Sequence, residues 1–189
     1  MDLNIYCLYG NYNVGKTYLA DKFVELHSDN FVRLSFAQKV KENFVKEVEP
    51  SLTLEDLNDR EIKEKHRREI INYAENMKKI KGEDVWVKII VDEIEEIHKT
   101  KNINNFIIDD LRFVVEYETL INKFENKIHL IHVVSYSSDF DPHTLNFVEY
   151  IDVLEKNPGS SLKHYTLFNS YTDCTLKGLE KIVKQTQNE

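Results

Sequence analysis

Apolar positions along this chain switch repeatedly between the two-residue alternation of strands and the three-to-four spacing of helices. The first run, Leu3-Asn4-Ile5-Tyr6-Cys7-Leu8, predicts a strand, and residues 17–26 predict a helix. Ser28-Asp29-Asn30 breaks that helix, and Phe31-Val32-Arg33-Leu34-Ser35 alternates as a second strand. Strand patterns then stop until residue 105. A helix is expected over 37–48, ended by Glu49-Pro50-Ser51, and Thr53 with Glu55-Asp56 predicts a short capped turn. In the long helix that follows, Ile62, His66, Ile70, Tyr73, Met77 and Ile80 form one stripe expected to be buried. Lys81-Gly82-Glu83 ends it, and Asp84 is placed to cap a further helix with the stripe Trp86, Ile90, Glu93 or Ile94, and Ile97. The remaining pattern gives a third strand, Asn105-Phe106-Ile107-Ile108-Asp109, a helix over 113–124 and a fourth strand over 128–134. A polar region with one helix follows at 136–162, then a fifth strand over 164–168 and a closing helix over 175–185. Strands alternating with helices imply right-handed crossovers and a parallel sheet covered on both faces, with a site at the strands' carboxyl ends.

Between the first strand and the first helix stands Gly10-Asn11-Tyr12-Asn13-Val14-Gly15-Lys16-Thr17, a G-x-x-x-x-G-K-T phosphate-loop pattern. Glycines at both ends let the backbone wrap a polyphosphate, so that amide N–H groups and the positive end of the helix dipole face its oxygens. Lys16 adds a point charge for the β- and γ-phosphates, and the Thr17 hydroxyl is a ligand for Mg²⁺. The alternative is a glycine turn opening an ordinary helix, but two of the chain's five glycines fall at the required spacing in the required context. The carboxyl end of the third strand brings Asp109, Asp110 and Arg112 to the same edge as Lys16. Asp109 has the position of an acid that holds Mg²⁺, or is a solvated strand-end acid or cap; Asp110 is the better cap candidate. Arg112 precedes a helix, where a cation opposes the dipole, so an anion should face it: a substrate phosphate, or Asp109, Asp110 or Glu116. In the long helix Arg60, Lys63 and Arg67 share a face, while Arg68 is either a ligand residue or half of a surface pair with Glu64.

Composition narrows the class. The chain has 189 residues, enough for one domain, and a net charge of −8, which argues against a nucleic-acid or anionic-membrane surface. Cys7 and Cys174 match neither a disulfide framework nor a metal spacing, which suggests a reducing compartment. No apolar stretch has membrane-spanning length and the segment around Asp2 lacks signal-peptide features, so a soluble cytoplasmic protein is expected. The turn-rich stretch 157–161 falls inside the domain.

The phosphate loop, Ser35-Phe36-Ala37-Gln38-Lys39-Val40-Lys41, Arg68-Glu69-Ile70-Ile71-Asn72, Asp84-Val85-Trp86-Val87-Lys88 and Ile107-Ile108-Asp109-Asp110-Leu111-Arg112-Phe113-Val114-Val115-Glu116 follow in order. This series resembles the successive motifs of the deoxynucleoside monophosphate kinases of bacteriophages and large DNA viruses, over nearly two-thirds of the chain. The aspartate-aspartate-x-arginine-phenylalanine run is the more specific part. The resemblance implies an α/β three-layer P-loop nucleoside monophosphate kinase fold, with a five-stranded parallel sheet flanked by helices. Its core would be 1–35, 83–135 and 163–189, its helical monophosphate-binding insert 36–82 and its small lid 136–162. It implies transfer of the γ-phosphoryl of ATP, with Mg²⁺, to a deoxynucleoside 5′-monophosphate, without direct nucleic-acid or membrane partners; a homodimer is left open.

By the same resemblance Gly10, Asn11, Asn13, Val14, Gly15, Lys16 and Thr17 hold the donor phosphates, with Asn169 in the loop that frames adenine, and Thr17 and Asp109 hold the metal. Lys41, Arg68 and Arg112 grip the acceptor monophosphate, Asn72 meets its base, and Asp110 and Glu116 lie on the acceptor side. Phe36, Tyr73 and Trp86 are candidates either for walls of the acceptor base or for core. Lys16, Arg68, Arg112 and Asp109 are the catalytic candidates. One departure stands out: 136–162 holds no arginine, only Lys156 among several acids, with His143 and Glu149 as remnants of a lid motif. Arg67, Arg112, Lys163 or a partner subunit is then expected to supply the charge. The rival readings are another small-metabolite kinase, of the phosphomevalonate type, and a catalytically silent nucleotide-binding subunit.

Overall fold

Strand β1 (Asn4–Tyr9) is apolar on both sides because it runs down the middle of a parallel sheet, between β3 (Asn105–Ile108) and β4 (Ile128–Val134). Strand β2 (Phe31–Leu34) extends the sheet beyond β3, and β5 (Lys163–Phe168) extends it beyond β4, giving the order β2-β3-β1-β4-β5. The computed structural model describes residues 3–157 and 162–187. Asp2 and all but Asn157 of the expected turn at 157–161 lie outside them.

Alternation along the strands sorts two cores. Ile5, Cys7 and Tyr9 join Phe106, Ile108 and Leu130 on one face, packed against α4 (Val85–Lys101), α5 (Val114–Phe124) and α6 (Pro142–Glu155). Tyr6 and Leu8 join Ile107, Ile131 and Val133 on the other face, packed against α1 (Lys16–Leu26) and α7 (Asp173–Thr186). The result is the expected three-layer α/β fold with a five-stranded parallel sheet. No helix among the described residues is long and apolar enough to cross a membrane.

Between β2 and α4 the chain leaves the sheet as α2 (Phe36–Glu47), a single 3-10 turn (Asp56–Asn58) and α3 (Arg60–Lys81). The α3 stripe is buried at Met77, half-buried at Ile62, His66, Ile70 and Tyr73, and not buried at Ile80, which is 76% exposed. α3 packs against α2 and α4, and in its last turn Lys78 lies over the Phe113 ring while Ile80 stays exposed. Asp84 stands at the start of α4 but makes no side-chain cap there; its carboxylate pairs with Lys88 at 2.8 Å.

One core residue makes stability depend on pH. His129 is fully buried, Nε2 lies 3.2 Å from Asn4 Oδ1, and Nδ1 has no hydrogen-bond partner among the described residues. Burial pushes its pKa down to about 4, so the folded state favours the neutral ring. The stabilisation is complete above the unfolded value near 6.5 and is lost as pH falls from there towards 4. It amounts to about 3 kcal/mol. In denaturant unfolding, the stability of wild type minus that of His129→Phe should therefore fall by about that amount from pH 7 to pH 4; parallel pH curves would refute it.

Candidate functional site

Immediately after β1 the backbone turns through conformations that favour glycine, with φ of 141° at Gly10 and 82° at Gly15; Asn13 is also left-handed, at 58°. A Cβ at Gly10 would stand 2.2 Å from the Val133 carbonyl oxygen, so only glycine lets the loop lie against β4. α1 starts at Lys16 with no side chain capping it, which leaves its first amides without helical partners and available to an anion. The loop's carbonyls are held back by the segment after β5. Asn169 Nδ2 donates to Val14 O at 2.8 Å, the Tyr171 hydroxyl donates to Asn13 O at 2.8 Å, and Tyr171 N donates to Asn169 Oδ1 at 2.9 Å. Asn169 thus shapes the loop from behind. Lys16 folds onto the same loop, Nζ donating to Gly10 O at 2.6 Å and Asn11 O at 2.8 Å. Burial, then the charge of Arg112, lowers its pKa to about 8.

Asp109, just past β3, is 2% exposed. Its Oδ2 lies 3.7 Å from an Arg33 guanidinium nitrogen, and its Oδ1 is buried with no partner among the described residues. Burial first, then the Asp110 charge, pushes its pKa up to about 6, against Thr17 and Arg33, which hold it down. A buried carboxylate oxygen without a donor, beside the Thr17 hydroxyl, fits Mg²⁺ or one of its waters. Among the described residues no cluster of three or more His, Cys, Asp or Glu is placed to hold a metal, so phosphate and water would complete such a shell.

Asp110 and Glu116 sit differently from the acceptor-side expectation. The Asp110 carboxylate accepts from Ser35 Oγ at 2.8 Å, Phe36 N at 2.9 Å and Ala37 N at 2.8 Å. It caps α2, not the helix that follows it, and fastens the insert to the sheet. Glu116 is buried and accepts from Arg112 N at 2.9 Å and Phe113 N at 3.0 Å, which closes the start of α5; burial raises its pKa to about 7. Both carboxylates are engaged by the protein itself.

Lys41 is half-buried and donates to Asn58 Oδ1 at 2.7 Å; burial, then the charges of Lys63 and Arg33, lowers its pKa. The charges of Lys63 on α3 and Arg33 on β2 thus both act on Lys41. Arg68 and Asn72 are exposed on α3, and Arg68 makes no ion pair among the described residues. The expected Glu64–Arg68 pair is replaced by Glu64–Arg67 at 2.6 Å. Phe36 and Trp86 belong to the core, Trp86 at 4% exposure with Nε1 donating to Ala74 O at 3.3 Å, and the Tyr73 hydroxyl donates to Glu47. Neither Phe36 nor Trp86 forms an open wall.

The sequence over residues 8–126 matches the family model described as phosphomevalonate kinase. The chain belongs to the phosphomevalonate kinase family. It is a P-loop small-molecule kinase, and membership implies ATP as the phosphoryl donor. The match spans the phosphate loop, the insert and the β3–α5 run. No curated protein matches the chain. Among solved structures, a gluconokinase from Sinorhizobium meliloti 1021 is similar at 8% identity and TM-score 0.48, over 98% of this chain and 94% of that one. A shikimate kinase from Bacteroides thetaiotaomicron is similar at 12% identity and TM-score 0.45, over 96% of this chain and 98% of that one.

Beyond the segment matched to the phosphomevalonate kinase family, the acidic stretch before α6 lies on the phosphate loop. Tyr12 and Asp139 exchange backbone hydrogen bonds at 3.0 and 3.2 Å, and Asn13 Nδ2 donates to the Asp139 carboxylate. Arg112 pairs with none of the three acids expected for it. Its Nε stands 3.4 Å from Asp141 Oδ2, and its guanidinium lies over the Tyr12 ring, 4.9 Å from the centroid. Sequence reasoning missed Tyr12, Arg33, Asp141 and Tyr171 as site residues. Tyr12 lies inside the phosphate-loop pattern, and Arg33 is a cation inside an otherwise apolar strand.

Proposed function

We propose that this chain transfers the γ-phosphoryl group of ATP to the phosphate of a small phosphomonoester, giving a diphosphate and ADP. The observation that carries this reading is half-buried Lys41, whose pKa is lowered by burial first and then by the charges of Lys63 and Arg33, so that an added anion would favour its charged form. In this reading the phosphate loop and Lys16 hold the donor, the three cations hold the acceptor phosphate, and Arg112 faces the group transferred between them. Phosphoryl transfer asks for alignment and charge neutralisation more than covalent chemistry, and these residues supply both. Mg²⁺ held by Thr17 and Asp109 would neutralise charge on the donor phosphates.

Two acceptors are supported by different observations. The family model favours a phosphomevalonate-type acceptor, and burial of Phe36 and Trp86 removes two of the walls a nucleobase would need. Arg68 and Asn72, exposed one turn apart on α3, favour a deoxynucleoside monophosphate, the acceptor suggested by the order of motifs. An ADP-release assay over phosphomevalonate, dAMP, dCMP, dGMP, dTMP, the ribonucleotides and unphosphorylated alcohols separates them. Turnover only with unphosphorylated alcohols, or with no acceptor, overturns the proposal. Lys41→Ala should raise KM for the acceptor about tenfold with KM for ATP unchanged.

A further inference from the structure

The stretch 136–162 carries no arginine, and two of its acids, Asp139 and Asp141, lie against the phosphate loop. We propose that Asp141 is a positioning residue that aims Arg112 at the transferred phosphoryl group, so that this segment contributes a carboxylate to orient an arginine of the core. The inference rests on Arg112 meeting the phosphates, as proposed above.

Arg112 is fixed at both ends. Its backbone N–H donates to Glu116 Oε2 at 2.9 Å. Its guanidinium lies on the Tyr12 ring, with one terminal nitrogen 3.5 Å from the Tyr12 hydroxyl and Nε 3.4 Å from Asp141 Oδ2. Tyr12 is itself part of the phosphate loop and is tied by its backbone to Asp139.

Asp141 is held as firmly. It is 1% exposed, Oδ1 accepts from His143 N at 3.0 Å, and Oδ2 accepts from Thr144 Oγ1 at 3.2 Å, which makes it the N-cap of α6. Its own backbone N–H donates to Asn11 Oδ1 at 3.4 Å. A buried carboxylate locked into a cap cannot swing away with the side chain it faces, so it sets the direction of the guanidinium. It stands as an ion pair against the Nε edge, and a guanidinium has five N–H donors, so terminal donors remain for a phosphate oxygen.

The competing role for the same contact is a latch, with Asp141 standing in for phosphate and restraining the empty enzyme. Steady-state kinetics of Asp141→Asn, Arg112→Ala and the double variant distinguish the two. Asn is as good an N-cap as Asp, so Asp141→Asn should keep α6 and the melting temperature while removing the charge that aligns Arg112. The expected result is a fall in kcat of about 10- to 100-fold, KM for ATP within about threefold of wild type, and no further loss when Asp141→Asn is added to Arg112→Ala. Unchanged or faster turnover in Asp141→Asn, or losses that multiply in the double variant, would overturn the inference. If Arg112→Ala alone leaves kcat unchanged, the role of Arg112 falls and the inference falls with it.

Discussion

Lys16→Ala is expected to lower turnover by about 10²- to 10³-fold or more while leaving the fold intact. The ammonium is half-buried, its hydrogen bonds among the described residues go to the carbonyls of Gly10 and Asn11, and the charge of a second cation, Arg112, acts on it. Burial and that repulsion make the charged form unfavourable enough to bring its pKa down to about 8. Because the folded value lies below the unfolded one, Lys16 lowers stability at neutral pH, and stability returns as pH rises from about 8 towards the ordinary lysine value near 10.4. Losing the side chain therefore removes two hydrogen bonds and an unfavourable charge together, and melting temperature should change little. A bound triphosphate reverses the sign, since an anion favours the ammonium, so binding near pH 8 should take up protons. Calorimetry in two buffers of different ionisation enthalpy reads that uptake. It should vanish in Lys16→Ala, and a variant that retains both the uptake and wild-type kcat would refute the role given to Lys16.

What could be read from the sequence was local, and what could not be read joins distant segments. The phosphate loop, the five strands and most of the α3 stripe follow from spacing within a few residues, because steric and burial demands repeat over that range. Ile80 has the right spacing but no partner surface, and spacing does not show where a neighbouring element ends. Asp109 was placed by the rule that sites gather at the carboxyl ends of parallel strands. Its neighbour Asp110 was expected on the acceptor side or as a helix cap. Instead it caps α2 through Ser35, Phe36 and Ala37, more than seventy residues earlier in the chain. The same holds for Arg112, whose partner Asp141 belongs to the polar segment read as a lid without arginine, and for Tyr171, which reaches back to Asn13. Trp86 shows the opposite ambiguity. Helical spacing is identical for a core ring and a ligand wall, and burial between α3 and the sheet assigns it to the core.

Gly10→Ala is expected to cost about 2–4 kcal/mol of stability and to abolish ATP binding. At φ 141° an L-side chain is strained whatever the space around it, and here there is none: the added Cβ would meet the Val133 carbonyl oxygen at 2.2 Å. That oxygen belongs to the backbone of β4, paired on one side with β1 and on the other with β5, so it can move only if the centre of the sheet moves. Gly15→Ala meets a softer obstacle, Asn169 Nδ2 at 2.5 Å. Displacing that side chain frees the Val14 carbonyl, so Gly15→Ala should lose nucleotide affinity with a smaller loss of stability. Gly178 in α7 supplies the contrast, since a Cβ there meets only a Leu167 methyl at 2.8 Å and the helix itself prefers alanine. Gly178→Ala should stay within about 1 kcal/mol of wild type. Denaturant midpoints for the three variants should rank Gly10→Ala below Gly15→Ala below Gly178→Ala. A Gly10→Ala protein as stable as wild type and still binding ATP would mean that the loop does not lie against β4, and the phosphate site built on that approach would have to be abandoned.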